Sequence, residues 1–179
     1  MDHSDQWDST AALLTATSAP AGRDAVWAEA LAFINNGRPD DAHLVASALV
    51  VEANGLVLLA RHRRYGQWGP LGGHVESADA SLSGAAAREL FEEAALVARV
   101  HSAPIDVRLS SYRCRSTTEP VIHLDVLFAA FVAGAAPDLV AGDELTGLEW
   151  FAPRDLPTPL LPATAQLIGR ATAAVISRR

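Results

Sequence analysis

The sequence contains no lysine, and all 14 of its positive charges are arginines. The absence of lysine excludes Schiff-base chemistry and a Walker-type phosphate loop, because both need a lysine amine. There is a single cysteine, which excludes an internal disulfide and any zinc site made of several cysteines. No run reaches the roughly 18 consecutive apolar residues of a membrane helix. The net charge of -7 argues against a general binder of the nucleic-acid backbone.

The residues that are present favour one globular domain with terminal extensions. Half of the 179 residues are hydrophobic, which is enough for a sizeable core. The first ten residues include Asp2, Asp5 and Asp8 but no arginine, unlike the positively charged start of a secretory signal. Together with the single cysteine, this favours a cytoplasmic location.

Apolar runs and helical periodicity predict strands mixed with helices, which is typical of an α/β sandwich. Strands are predicted at 43–51, 56–61, 122–132 and 147–151, and flanking helices at 24–36 and 163–177. A further helix, capped by Asp79 or Ser81, is predicted to run to about Leu96. Residues 1–22 lack clear periodicity and are interpreted as a mobile arm. Loops are predicted at 62–71, 100–120 and 133–146.

The acidic residues are concentrated on the helix that ends near Leu96. Glu89, Glu92 and Glu93 stand at i, i+3 and i+4, so a helix places all three carboxylates on one face. Like charges repel at this spacing, and a bound cation would relieve the repulsion. Oxygen ligands without histidine or cysteine suit Mg²⁺ or Mn²⁺. The alternative is a solvated acidic helix face.

Two neighbouring features favour the metal site. Gly72 and Gly73 precede the helix, where the backbone can approach a ligand closely. Arg88 is placed to pair with Glu92 across one helical turn and hold it in position.

The stretch from Gly73 to Leu96 resembles the Nudix box. The family pattern is a glycine, five residues, a glutamate, seven residues, and then Arg-Glu-apolar-x-Glu-Glu-x-Gly-apolar. The matching residues are Gly73, Arg88, Glu89, Leu90, Glu92, Glu93 and Leu96. Asp79 replaces the first glutamate and one extra residue follows it, as in a subgroup with the pattern Gly-Gly-His-x-Glu-x-x-Asp-x-Ser-Leu. Ala95 replaces the final glycine, so a strained helix end is expected.

The resemblance implies a fold and an activity. The fold is the Nudix-type α/β/α sandwich, with a mixed β-sheet between helices. The domain is expected over 43–156, after an N-terminal arm and helix (1–42) and before a C-terminal helix that packs on it (157–179). The implied activity is Mg²⁺- or Mn²⁺-dependent hydrolysis of a phosphoanhydride bond in a nucleoside diphosphate linked to another moiety.

The resemblance also implies roles for individual residues. Glu89, Glu92 and Glu93 would ligate the metal, and Arg88 would orient them. Glu89, Glu93 or a loop acid, for which Glu144 is the candidate, would take the proton in catalysis. Substrate contacts are expected from Gly72, Gly73, Arg61, Trp68 and His123.

Several of these side chains have a second interpretation. Arg61, Arg63 and Arg64 would face the pyrophosphate or remain solvated. Trp68 would stack on a substrate ring or pack as a lid. His123 and Asp125 would line the pocket or form a polar pair beside the core.

The predicted partner is a small nucleoside diphosphate derivative, with no nucleic-acid polymer and no membrane. Trp27, Phe33 and Ile34 of the predicted N-terminal helix need cover, which a homodimer would provide. The alternative function is a non-catalytic module of the same fold that senses a nucleotide or a sugar. Isopentenyl diphosphate isomerase, which shares the fold, is disfavoured because Cys114 follows the helix. Cys114 has no nucleophile motif and His43 has no ligand spacing.

Overall fold

A seven-stranded sheet forms the middle of the molecule. The fold is described from a computed structural model over residues 3–36, 38–114 and 117–176. The strands are β1 His43–Glu52, β2 Val57–His62, β3 Gln67–Gly69, β4 Leu71–His74, β5 Arg99–Tyr112, β6 Val121–Val132 and β7 Leu145–Phe151. The helices are α1 His3–Ala16, α2 Asp24–Asn36, α3 Leu82–Ala94 and α4 Thr164–Ile176. Within these ranges, no helix has the length and apolarity needed to cross a membrane.

The central strand β1 connects the two halves of the sheet. The strand order is β3-β2-β1-β6-β5, with β4 also paired to β1 and β7 to β2. β1 and β6 run parallel over their whole length, from His43 opposite His123 to Glu52 opposite Val132. The other pairs are antiparallel, so the sheet is mixed.

Helices cover both faces of the sheet. Successive side chains of a strand point to opposite faces, so β1 contributes to two separate cores. Leu44 and Ala48 join the core beneath α1, α2 and α3, whereas Leu49 and Val51 join the core beneath α4. This layering confirms the predicted α/β/α sandwich with a mixed sheet.

The N-terminal segment is a helix rather than the predicted arm. Trp7, Thr10 and Leu14 recur at helical spacing and are each at most 1% exposed. Thr10 is polar, and its hydroxyl donates to the Gln6 carbonyl at 2.7 Å. The buried face of α1 therefore lacks a continuous apolar pattern, which is why the sequence did not reveal it.

Residues 100–120, predicted as a loop, are largely strand. β5 spans Arg99–Tyr112 and pairs with β6 along its length. Its register shifts between Val100 and Pro104 and again between Pro104 and Asp106. These irregularities and the proline interrupt the alternation by which strands are recognised in a sequence.

The apolar side chains of α2 are covered within the chain. Trp27 is 4% exposed, and its indole nitrogen donates to the Leu14 carbonyl at 2.9 Å. The ring of Phe33 packs edge-on against Trp7, with centroids 6.1 Å apart. This cover removes the reason for inferring a homodimer.

Candidate active site

The helix α3 begins at a side-chain cap, and its acidic residues lie beside its apolar stripe. Ser81 is the N-cap, and its hydroxyl accepts a hydrogen bond from the Gly84 amide at 3.0 Å. Leu82, Ala86 and Leu90 are buried against the sheet. Glu89 and Glu93 follow Leu82 and Ala86 by seven residues, so they lie on the same side of the helix and are half-buried, whereas Glu92 is exposed.

Two of these glutamates contact strand β4 through its adjacent glycines. The Gly72 amide donates to Glu93 Oε2 at 2.9 Å. A Cβ atom built on Gly73 would lie 2.6 Å from Glu89 Oε1, so a larger residue would displace the carboxylate. Gly72 itself has φ of +153°, and a Cβ there would lie 2.5 Å from Ser47 Cα. Glycine is therefore required at position 72, and at position 73 it leaves room for the Glu89 carboxylate.

Arg88 binds the acidic groups around it through all three of its guanidinium nitrogens. Its Nε and Nη2 donate to the two oxygens of Asp79 at 3.1 and 3.0 Å. Its Nη1 donates to Glu89 and to Glu92, each at 2.9 Å. Its Nη2 also donates to the His74 carbonyl at 2.8 Å. Arg88 therefore ties the start of α3, its acidic face and the end of β4 into one unit.

The carboxylates of the acidic face retain oxygens for a ligand. Among the described residues, hydrogen bonds reach Glu89 at Oε1, Glu92 at Oε2 and Glu93 at Oε2, and not the second oxygen of each group. Burial raises the pKa of Glu89, against the lowering effect of Arg88. Burial also raises the pKa of Glu93 to about 7, and the Gly72 hydrogen bond opposes this only in part. The site thus carries negative charge that a cation would stabilise.

The loop that carries Glu144 is attached to the end of α3. The Gly142 amide donates to the Glu93 carbonyl at 2.8 Å, and the Val140 amide to the Ala94 carbonyl at 3.4 Å. Glu144 is exposed, and its charge contributes to the raised pKa of Glu93. The structure therefore brings the predicted loop acid into the electrostatic environment of the helix glutamates.

The comparisons with known proteins agree with this arrangement. The family model for the NUDIX domain matches residues 41–171. The chain belongs to the Nudix family. This match supports the class of enzyme that the resemblance implies, a pyrophosphohydrolase. No curated protein matches the chain significantly in sequence.

Solved Nudix structures share the fold at low sequence identity. A hydrolase of the NUDIX family from Clostridium perfringens has 21% identity and a TM-score of 0.57, covering 76% of this chain and 98% of that one. The Ap4A hydrolase of C. elegans has 19% identity and a TM-score of 0.55, covering 75% and 98%. The NUDIX domain of Shewanella oneidensis NrtR, solved with ADP ribose, has 21% identity and a TM-score of 0.55, covering 83% and 97%.

The two substitutions within the Nudix box have local structural consequences. Asp79, in place of the first glutamate, accepts two hydrogen bonds from Arg88 and one from the Glu76 amide at 2.8 Å. Ala95, in place of the final glycine, has φ of 49° in the left-handed region. Its amide and that of Leu96 still donate to the last turn of the Nudix helix, so the cap forms with a residue that is strained there.

Arg61 and Trp68 lie on the other face of the sheet from the Nudix helix. They are directly opposite each other on β2 and β3. Trp68 is 9% exposed and packs edge-on against Phe151, with centroids 5.1 Å apart. The Arg61 Nε donates to the Gly66 carbonyl at 3.2 Å. Trp68 therefore belongs to the core on the α4 side of the sheet.

His123 and Asp125 are both buried. His123 is 0% exposed, and its ring stacks on Tyr112 with centroids 3.7 Å apart. Asp125 accepts a hydrogen bond from Arg108 at 2.9 Å, and the charge of Asp125 contributes to the raised pKa of Arg108. The register of β5 and β6 places these two partners opposite each other. Asp125 thus forms a polar pair beside the core.

The sequence interpretation missed three residues that the fold brings to His123. His43, His74 and Cys114 lie together with it, although 80 positions separate the first and last of the histidines. The parallel register of β1 and β6 places His43 beside His123. This register is the one signal that could have revealed the group of four residues. Using it from the sequence requires knowing that β1 and β6 are neighbours.

Proposed function

We propose that this chain is a divalent-cation-dependent Nudix hydrolase that cleaves a phosphoanhydride bond of a nucleoside diphosphate linked to another moiety. The observation that carries the proposal is the meeting of Glu89 and Glu93 with the glycines of β4. Buried carboxylates beside closely approaching backbone are typical of a site for a cation and an anionic ligand. A cytoplasmic location accords with the composition.

The donor set of the site fits a hard dication. Glu89, Glu92 and Glu93 offer only carboxylate oxygens, which Mg²⁺ and Mn²⁺ prefer over softer ligands. Burial, and after it the charges of neighbouring carboxylates, raise the pKa values of Glu89 and Glu93, and a cation would offset both effects. When bound, such a cation neutralises phosphate oxygens and acidifies water.

The other catalytic roles of the side chains are positioning of the carboxylates and proton transfer. Arg88 is a positioning residue because its hydrogen bonds reach Asp79, Glu89, Glu92 and a backbone carbonyl. Glu93 is the first candidate for general base, since a pKa of about 7 suits proton acceptance at neutral pH. Glu144 is the second candidate, on a loop held against the Glu93 backbone.

The substrate class is supported by the ligands of proteins with the same fold. The C. elegans relative is an Ap4A hydrolase, and the Shewanella oneidensis domain was solved with ADP ribose. Both molecules contain a nucleoside joined through a phosphoanhydride to another group. We therefore propose a small nucleotide derivative as substrate, rather than a nucleic-acid polymer, which also accords with the net charge of -7.

The decisive experiment is a phosphate-release screen over dinucleoside polyphosphates, nucleotide sugars and nucleoside triphosphates, with and without Mg²⁺ or Mn²⁺. Turnover should require the cation, and Glu93→Gln should lower kcat by about 100-fold or more, because metal charge stabilisation supplies several kcal/mol. Glu149→Gln, an exposed acid on β7, is the matched control and should retain wild-type turnover. Full activity of Glu93→Gln would refute the role of the helix glutamates. Binding of a nucleotide without product, by calorimetry and mass spectrometry, would select the sensing module instead.

A further inference from the structure

Three histidines and the single cysteine converge on one point, on the other face of β4 from the helix glutamates. His43 Nδ1 lies 3.1 Å from His74 Nε2 and 3.2 Å from His123 Nε2. Cys114 Sγ lies 3.4 Å from the same His43 nitrogen. One ligand atom from each of the four residues lies within 4.8 Å of all the others. We call these four residues the His–Cys cluster.

Hydrogen bonding alone does not account for this convergence. His123 Nδ1 lies 3.0 Å from the Val121 carbonyl, which only accepts, so this nitrogen carries the proton and Nε2 carries a lone pair. That lone pair points at His43 Nδ1, which also faces His74 and Cys114. A ring nitrogen has one proton or one lone pair, and it cannot make three well-directed hydrogen bonds at once.

A tetrahedral cation accounts for the three short contacts of His43. With the usual zinc bond lengths, two nitrogen ligands lie about 3.3 Å apart, and a nitrogen and a sulfur about 3.6 Å apart. The three contacts of His43 are within a few tenths of an ångström of these separations. Four protein ligands of nitrogen and sulfur match the composition of closed zinc sites and differ from the all-oxygen set on the Nudix helix.

The surroundings orient the ligands as zinc sites require. The proton of His123 Nδ1 is held by a backbone carbonyl, an arrangement that is almost universal among metal-binding histidines. Tyr112 stacks on the same ring with an interplanar angle of 9°. His74 is the exposed member of the cluster, so this ligand can be reached from solvent.

We propose that His43, His74, Cys114 and His123 form a structural zinc site, separate from the carboxylate site of the Nudix helix. The ion would join the starts of β1 and β6, the end of β4 and the segment after β5. It would also hold His74, whose carbonyl accepts a hydrogen bond from Arg88. The site would thereby support the strand that brings Gly72 and Gly73 to the glutamates.

The test measures metal content and ligand geometry, independently of hydrolysis. Protein purified in zinc-containing medium should carry one zinc per chain by mass spectrometry. Protein stripped of metal and loaded with Co²⁺ should show the intense visible bands of a tetrahedral ion and a thiolate-to-cobalt charge-transfer band. Cys114→Ser should lose the charge-transfer band. It should also bind zinc about 100-fold more weakly or worse, since changes outside the ligand shell already cost 10–100-fold.

Two variants make the test specific. His101→Gln replaces a histidine near the other end of β5, where the neighbouring Val100 pairs with Ala130, whereas Ser110 pairs with His123. It should retain zinc and the cobalt spectrum. Glu93→Gln should also retain both, because it alters only the carboxylate site. The proposal would be overturned if cobalt-loaded wild-type protein gave the weak spectrum of octahedral cobalt, whether or not the variants fold. It would also be overturned if wild type bound zinc no more tightly than Cys114→Ser.

Discussion

At the scale of single residues, Glu93 combines burial, negative neighbours and one hydrogen bond. Its carboxyl pKa is raised to about 7 first by loss of solvent and then by the charges of Glu89, Glu144 and Glu92. The Gly72 amide is the opposing contact. Without a cation, the folded protein therefore holds a proton that the unfolded chain releases near pH 4.5.

This difference predicts a pH-dependent stability for metal-free protein. Between about pH 4.5 and 7 the unfolded state loses the Glu93 proton first, so the free energy of unfolding should fall as pH rises. Glu93→Gln removes this dependence, and it should become more stable than wild type by up to about 3 kcal/mol above pH 7, at 1.36 kcal/mol per pKa unit. Urea unfolding in chelator across pH 4 to 8 measures the difference.

A matched substitution controls for the general loss of a negative charge. Glu149→Gln changes an exposed acid on β7 whose charge is not among those that raise the Glu93 pKa. Its stability should differ from wild type by a constant amount over this pH range. Added Mg²⁺ should stabilise wild type more than Glu93→Gln above pH 7. Parallel curves for wild type and Glu93→Gln would contradict the assignment of the raised pKa.

The residues of the site were predictable to different degrees. Glu89, Glu92, Glu93 and Arg88 stand within one helical segment, where spacing in sequence fixes spacing in space. Their grouping and the Arg88–Glu92 contact followed from that spacing. The His–Cys cluster did not, because its members come from separate strands and one turn. Its assembly depends on sheet order and register, which no local pattern contains.

At the scale of elements, the strained end of the Nudix helix offers a direct test. Ala95 has φ of 49°, a conformation that costs an L-residue about 1 kcal/mol relative to glycine. Ala95→Gly should therefore raise the free energy of unfolding by about 1 kcal/mol. Ala87→Gly, in the interior of the same helix, is the control and should lower it by about 0.5–1 kcal/mol. Destabilisation by both substitutions would show that Ala95 is not strained.

Elements with a regular pattern were predicted well, and irregular ones were not. β1 is a nearly continuous buried strand, and α2 begins and ends at Asp24 and Asn36 as its sequence indicated. β5 was missed because its register shifts and Pro104 break the two-residue alternation. Local periodicity marks regular elements, whereas β5 gains its conformation from pairing with β6.

At the scale of the whole molecule, the N-terminal helices are continuous with the core beneath the Nudix helix. Trp7, Leu14 and Trp27 belong to the same buried cluster as Leu82 and Leu90 of α3. The family model begins at residue 41, so these helices lie before it. The buried residues of these helices are both polar and apolar and come from different turns. Tertiary contacts with the core, rather than a local sequence pattern, therefore stabilise the helical state of α1.

One hydrogen bond connects α1 directly to the segment that leads into the Nudix helix. Gln6 Nε2 donates to the Glu76 carbonyl at 2.6 Å, and the Asp79 amide donates to the same carbonyl at 3.0 Å. The Glu76 amide in turn donates to Asp79 Oδ2 at 2.8 Å. Asp79 anchors Arg88, so the side chain of Gln6 supports the turn on which the arginine network rests.

The contact predicts a local effect of a distant substitution. Gln6→Ala should weaken this turn by about 1 kcal/mol, so the amides of Glu76 and Asp79 should exchange with solvent deuterium about fivefold faster. Gln67→Ala is the control, since its side-chain amide donates to the Leu160 carbonyl at 3.4 Å on another part of the molecule. Its exchange at Glu76 and Asp79 should match wild type. A local contact changes only the opening of the segment that it holds. If hydrogen exchange in Gln6→Ala were equally accelerated throughout the sheet, the substitution would be globally destabilising, and α1 would not be a specific support of the turn.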